Sequence, residues 1–283
     1  EFEMGKHIDK AISEEEKAQG KVLLCCTTAK SDLKINVPGF NQNALPVRTL
    51  PARIENIEIK HDVALLRLAL PKAPSFAFYA GQYIDLLLPG NISRSYSIAN
   101  SPDQEGVLEL HIRKRENGVC SEMIFGAEPK IKEKGIVRVK GPLGTFTLQK
   151  DSDKPIVLLA TGTGYAPIRS ILLDLIRRNR ERQVHFYWGA RQQADLYALE
   201  EAEALIGRLK NAKFSPVLSK PDSEWKGENG YVQDVAAQNY PDLGQYEVYA
   251  CGSPEMTESA HGLLTQKCAL PEDAFFCDAF SPA

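Results

Sequence analysis

The chain has 283 residues, enough for two domains or one large one, and its 43% hydrophobic and 25% charged content is ordinary for a globular protein. A formal net charge of −3 gives no electrostatic ground for a nucleic-acid partner. No run approaches the roughly 18–20 apolar residues that span a bilayer, and the N-terminal EFEMGKHIDK is charged without an apolar stretch, so neither a membrane partner nor a secretory signal is expected.

Residues 1–37 begin with an acidic helical stretch in which Ser13, followed three residues later by Glu16, forms a capping-box pattern. An apolar run from Val22 to Cys26 follows, and then strand-like alternation from Asp32 to Val37. Residues 38–51 (PGFNQNALPVRTLP) combine prolines and a glycine with little periodicity and read as a linker. From Ala52 to about residue 150, the runs ARIENIEI, ALLRLAL, QYIDLLL, RSYSIA, VLELHIRK and GIVRVKG are separated by turn signals. That spacing predicts an all-β antiparallel barrel or sandwich, interrupted by one short helix over 121–126. From 151 to 283 strands alternate with helices: PIVLLA, VHFYWGA, FSPVLS, YEVYACG and FFCDAF are strands, and amphipathic helical stretches lie between them. This order predicts an α/β domain with a doubly wound parallel sheet.

The six cysteines, Cys25, Cys26, Cys120, Cys251, Cys268 and Cys277, are sparse and irregularly spaced, which predicts reduced thiols in a cytoplasmic protein. Several short segments carry chemistry. In PIVLLATGTGYAP a buried strand enters a glycine turn, Gly162-Thr163-Gly164, that opens a helix with Pro167 in its first turn. Backbone there can approach a phosphate, and the helix start offers free N–H groups, although the plain alternative is a tight turn. Cys251 and Gly252 end a later strand and would face the same crevice, or Cys251 is a small buried hydrophobe. Arg94, Ser95, Tyr96 and Ser97 together offer a cationic fork, a flat ring and hydroxyls, or simply an exposed strand face. Gly118, Val119, Cys120 and Ser121 lead into the short helix with Ser121 as the expected N-cap. Upstream, Arg113 shares a strand face with His111 while Lys114 points the other way.

RSYS, GVCS, GPLG, GTGYAP, YWGAR, CGSP and a terminal DAF occur in one order over residues 52–283. That series resembles the ferredoxin–NADP reductase superfamily. Within it, the chain is similar to reductases with an N-terminal plant-type ferredoxin domain, which serve ring dioxygenases or a CDP-deoxyhexose dehydrase. The resemblance implies an antiparallel Greek-key β-barrel for FAD over 52–150 and a nicotinamide-binding α/β domain over 151–283. Residues 1–37 resemble the C-terminal remnant of the ferredoxin domain. On that match Cys25 is the fourth ligand of a [2Fe–2S] centre, a cluster that needs three more thiolates. No cysteine precedes Cys25, so the cluster is expected only in a full-length protein.

The resemblance also assigns roles. Arg94 would hold the flavin diphosphate, Tyr96 would stack on the flavin, and Ser97 would hydrogen-bond near its reacting nitrogen. His111, Ile112 and Arg113, with Lys114 alongside, would line the diphosphate and ribose, and Gly118 to Ser121 would bind the diphosphate. Gly162, Thr163, Gly164 and Pro167 would hold the dinucleotide, Cys251 and Gly252 would sit beside the nicotinamide, and Phe280 would shield the flavin. Arg191, Ser219, Lys220 and Tyr231 match the adenosine end. There Arg191 and Lys220 suit NADPH, whereas Asp195 suits NADH, toward which the relatives lean. The implied enzyme is an NAD(P)H-dependent flavin oxidoreductase. It would pass single electrons through a [2Fe–2S] centre to a dehydrase or oxygenase partner protein. Alternatives are a ferredoxin or flavodoxin reductase and a flavin electron-transfer subunit of a larger complex.

Overall fold

Strand β1 (Phe2–Met4) pairs antiparallel with β2 (Thr27–Ala29) in the computed structural model, which describes residues 1–5, 12–35, 45–149, 152–178 and 181–280. Both strands belong to a unit spanning Glu1–Ala44, separate from the unit Leu45–Ala283. Helix α1 (Glu14–Ala18) starts on the expected capping box: Ser13 Oγ accepts the Glu16 N–H at 3.2 Å, and Glu16 Oε2 accepts the Ser13 N–H at 3.0 Å. The apolar run ends in a 3₁₀ turn, Leu24–Cys26, that contains Cys25, whose side chain lies outside the described residues. The alternation expected over 32–37 yields no strand over 32–35, and 36–37 lie outside the described residues. Leu33 and Ile35 are exposed there, so the pattern has no buried face to direct.

In the larger unit the six strands β3 (Arg48–Lys60), β4 (Val63–Ala69), β5 (Tyr83–Leu88), β6 (Ile92–Ser97), β7 (Val107–Arg113) and β8 (Ile136–Leu143) form one antiparallel sheet in the order β6-β5-β8-β3-β4-β7. Its two edges are joined by a bridge between Ile98 and Leu110, beside the Ala99 N–H donated to the Glu109 carbonyl at 2.8 Å. Alternate residues point inward, so Ile54, Leu66, Leu68, Ile84, Leu86, Leu108, Leu110 and Val139 form the interior. Strand β3 begins at Arg48, inside the stretch that read as linker. Pro51 pairs opposite Arg138 on one side, while β4 reaches β3 only from Arg53 onward, leaving Pro51 in an edge position where its missing N–H costs little. Helix α2 (Val119–Phe125) covers one end of the barrel through Cys120 and Ile124.

The remaining strands β9 (Ile156–Thr161), β10 (Val184–Ala190), β11 (Ala212–Leu218), β12 (Glu228–Asn229), β13 (Glu247–Gly252) and β14 (Phe275–Ala279) lie parallel in the order β12-β11-β10-β9-β13-β14. Ile156, Leu158 and Ala160 face the side covered by helices α3 (Tyr165–Arg177) and α4 (Leu199–Ile206). Val157 and Leu159 face α5 (Val232–Asn239) and α6 (Pro254–Lys267). The chain leaves β9 toward β10 and returns to its other side as β13, so the carboxyl ends of β9 and β13 frame the switch point where such sheets bind ligands. Among the described residues, no helix is long and apolar enough to cross a membrane.

At that switch point Gly164 meets β13 so closely that a Cβ would stand 2.1 Å from the Cys251 carbonyl oxygen. Both contacting groups are backbone, so neither can swing away. Gly164→Ala is therefore expected to destabilise the unit by about 1–3 kcal/mol, as overpacking does. Urea unfolding checks this, and an unchanged midpoint would contradict it.

Candidate functional site

A cleft of about 450 Å³ opens where the barrel edge meets the carboxyl end of the parallel sheet. It gathers Arg94, Ser95, Tyr96 and Ser97 from β6, His111 and Arg113 from β7, Gly118 to Ser121 from the start of α2, Thr163 from the glycine turn, and Phe280. Tyr83, Arg115, Asn117 and Asp278 also line it, and the sequence reading had missed them. Tyr83 owes its place there to the β5–β6 register, which sets it opposite Ser97. Asp278 stood within the terminal DAF motif, but nothing in its spacing singled out the carboxylate.

On the barrel side, Tyr96 presents a half-buried ring whose hydroxyl stands near the Cys120 thiol, and burial raises the phenol's pKa. Arg94 Nη1 donates to the Ser93 carbonyl at 2.8 Å. The Ser95 hydroxyl donates to Asp85 on the neighbouring strand β5 at 2.7 Å. The N-cap of α2 is Gly118, with no side chain capping it. Ser121, expected at that position, lies within the helix because its hydroxyl is taken by the Arg115 N–H at 2.8 Å, which shapes the loop before the helix. Arg113 pairs with Asp62 at 3.1 Å, yet its Nη2 is buried with no hydrogen-bond partner. An orphaned cationic donor of this kind calls for an anion. The same guanidinium reaches the glycine turn, 3.0 Å from where a Cβ on Gly162 would stand, and Gly162 has φ +54°, a left-handed conformation that favours glycine.

The other wall is built by the parallel sheet. Trp188 Nε1 donates to the Gly162 carbonyl at 3.0 Å and holds the 3₁₀ turn Gly162–Gly164, while Thr163 and Ala166 face the cleft. Pro167 is buried in the first turn of α3. Phe280 donates its N–H to the Gly252 carbonyl at 2.7 Å, which pins its ring at the cleft. The Ser97 hydroxyl faces the carboxylate of Asp278 across the cleft, and burial pushes the Asp278 pKa up to about 6.

Several expected residues lie elsewhere. The Cys251 side chain is fully buried in the core beneath α3, where burial raises its pKa, and it does not line the cleft. Ile112 points into the barrel core, and Lys114 stands on the outside with its ammonium 6.0 Å from the Phe125 ring centre. His111 has both ring nitrogens engaged, Nδ1 with Tyr197 Oη at 2.8 Å and Nε2 with Glu109 Oε1 at 3.1 Å, and burial lowers its pKa. Arg191, Ser219 and Lys220 follow the carboxyl ends of β10 and β11, and Tyr231 is the exposed N-cap of α5. Asp195 is occupied locally: its carboxylate accepts the Gln192 N–H at 3.1 Å.

Comparison with known proteins agrees with this geometry. A family model for the oxidoreductase FAD-binding domain matches residues 52–148, and one for the oxidoreductase NAD-binding domain matches residues 158–262. The chain is 41% identical over 274 residues to the CDP-6-deoxy-L-threo-D-glycero-4-hexulose-3-dehydrase reductase of Yersinia pestis, covering 96% of this chain and 81% of that protein. It is 35% identical over 285 residues to the reductase component of propane 2-monooxygenase from Rhodococcus jostii, covering 96% of this chain and 76% of that one. The crystal structure of the Amycolatopsis cytochrome P450 reductase GcoB superposes with a TM-score of 0.84 at 30% identity, covering all (100%) of this chain and 85% of that one. The chain belongs to the ferredoxin–NADP reductase superfamily, as an FAD- and NAD-binding oxidoreductase related to the reductase components of dehydrase and oxygenase systems.

The raised Asp278 pKa has a signed consequence. Between the unfolded value near 3.8 and the folded value near 6, the folded chain holds a proton that the unfolded chain has released. Stability present below about pH 4 is therefore lost as pH rises through 6. In the cofactor-free chain, Asp278→Asn is expected to add up to about 3 kcal/mol at pH 7.5 and nothing near pH 4. Denaturant midpoints at the two pH values decide this; a gain independent of pH would contradict it.

Proposed function

We propose that the cleft seats FAD against β6 and the start of α2, and that the turn Gly162–Gly164 seats the diphosphate of NAD(P)H. The observation that carries this reading is the meeting of Ser97, from the barrel, with Asp278, from the sheet, beside Thr163 in one cleft. The donor set fits the two cofactors: Tyr96 gives a flat wall, Arg94 and Arg113 give cationic forks, and the uncapped start of α2 gives free N–H groups. When bound, FAD would supply the conversion of a two-electron hydride donor into single electrons.

The chain's own residues bind, orient and exclude water. Ser97 presents a hydroxyl beside the Asp278 carboxylate, which can hold or release a proton around pH 6. Phe280 and Tyr96 close the cleft with apolar surface. Cys251 contributes by packing under the turn, and Arg191, Ser219, Lys220 and Tyr231 stand where the adenosine half of the nucleotide would extend. The local engagement of Asp195 leaves Arg191 and Lys220 as the charges to select between NADH and NADPH. A [2Fe–2S] centre with Cys25 as one of its four thiolate ligands would supply single-electron transfer toward a dehydrase or oxygenase partner. The names of the Yersinia and Rhodococcus relatives support such a partner.

Anaerobic mixing of the FAD-loaded chain with NADH, and separately with NADPH, tests the reading. Bleaching of the flavin bands by one nucleotide is expected and names the donor; bands unmoved by either would refute it. Ser97→Ala is expected to slow bleaching at saturating nucleotide by about 10–100-fold while changing nucleotide Kd far less. An unchanged stopped-flow rate would remove Ser97 from the mechanism.

A further inference from the structure

The barrel and the parallel sheet meet along α3, and their seam holds a buried polar cluster outside the cleft. Arg169, in the second turn of α3, has a side chain only 14% exposed. Its Nε donates to Glu201 Oε1 at 2.8 Å, with Nη2 2.7 Å from the same oxygen. Its Nη1 donates to the Ala99 carbonyl at 2.8 Å and stands 3.4 Å from Glu109 Oε1. That Glu109 oxygen also faces His111 Nε2. Beside it, Ser170 Oγ donates to the Asn100 carbonyl at 2.7 Å, and Asn100 Oδ1 accepts the Glu109 N–H at 2.9 Å.

These partners are informative by their place in the chain. Ala99 follows Ser97 by two residues, and Glu109 and His111 precede Arg113 on β7. On the helix side, Ala166 and Thr163, one and two turns before Arg169, line the cleft. One guanidinium thus ties both cofactor-facing barrel strands to the helix that carries the glycine turn. Apolar packing would hold the two halves together at many angles, whereas a planar fork with partners on both sides fixes one.

Resting on the cofactor reading above, we propose that Arg169, acting through Glu109 and the Ala99 carbonyl, is a positioning residue for hydride transfer. It sets the spacing between Ser97 and Thr163 and touches neither cofactor. Reacting centres misplaced by a fraction of an ångström lose rate without losing affinity.

The test compares the FAD-loaded parent chain with Arg169→Lys and Glu109→Gln, two substitutions that keep much of the volume and polarity. Saturating rates of flavin bleaching by the preferred nucleotide are expected to fall about tenfold or more. The Kd values for FAD and nucleotide should each move less than about threefold. In the cofactor-free variants, amide exchange over residues 162–166 should accelerate while β9 keeps its protection. A merely structural role would lower melting temperature or FAD occupancy and leave the rate per bound flavin unchanged; that result, in a parent chain that bleaches normally, overturns the proposal. A parent chain whose bound flavin neither nucleotide bleaches would overturn the cofactor reading, and this role with it.

Discussion

Everything in the cleft depends on the seam between α3 and the closing edge of the barrel. Ile168, Leu172 and Tyr165 from α3 share one apolar core with Val63, Ala80 and Phe146 from the barrel. Burial of that surface holds two differently built halves as one unit, and the hydrogen bonds along the seam give it direction. Each half alone would carry only part of a site: a barrel edge with a tyrosine and arginines, and a sheet end with a glycine turn. Their contact turns two half-sites into one cleft.

The switch point explains why the glycine turn looks as it does. Strands β9 and β13 part company there, and the start of α3 drops onto the backbone of Cys251. Gly164 is needed for that contact between protein atoms, independent of any phosphate. Gly162 is favoured by its left-handed φ and lies against the Arg113 guanidinium. Arg113 is thus a barrel residue that serves the junction as well as the cleft lining, with Asp62 beside one edge of its guanidinium and Nη2 buried without a hydrogen-bond partner.

Most of the architecture was legible because it is periodic. Inward-facing residues at every second position announce β4, β5 and β8, and the wholly apolar β9 announces a central parallel strand. Where periodicity lacked a partner to act on, it misled: Leu33 and Ile35 alternate but bury nothing. Pro51 marked a break that the register with β8 absorbs. Of the site, the motif residues on β6 and at the glycine turn were legible, since their types suit their chemistry. Asp278 and the Arg169 cluster were not, because each gains its meaning from a residue tens to nearly two hundred positions away, and Tyr83 was not, because only the β5–β6 register sets it opposite Ser97. Cys251 shows the converse: a thiol at the right strand end, turned into the core by the alternation of β13.

A crystal structure of the chain with FAD and oxidised dinucleotide would show whether both groups share this one cleft. Flavin density is expected against Tyr96 and Ser97, its phosphates at Arg94 and the start of α2, and the dinucleotide diphosphate over Gly162–Gly164. The nicotinamide should then stand between Thr163 and the Ser97–Asp278 pair, with Phe280 moved aside. Flavin bound away from β6, or a dinucleotide that leaves the glycine turn untouched, would contradict it.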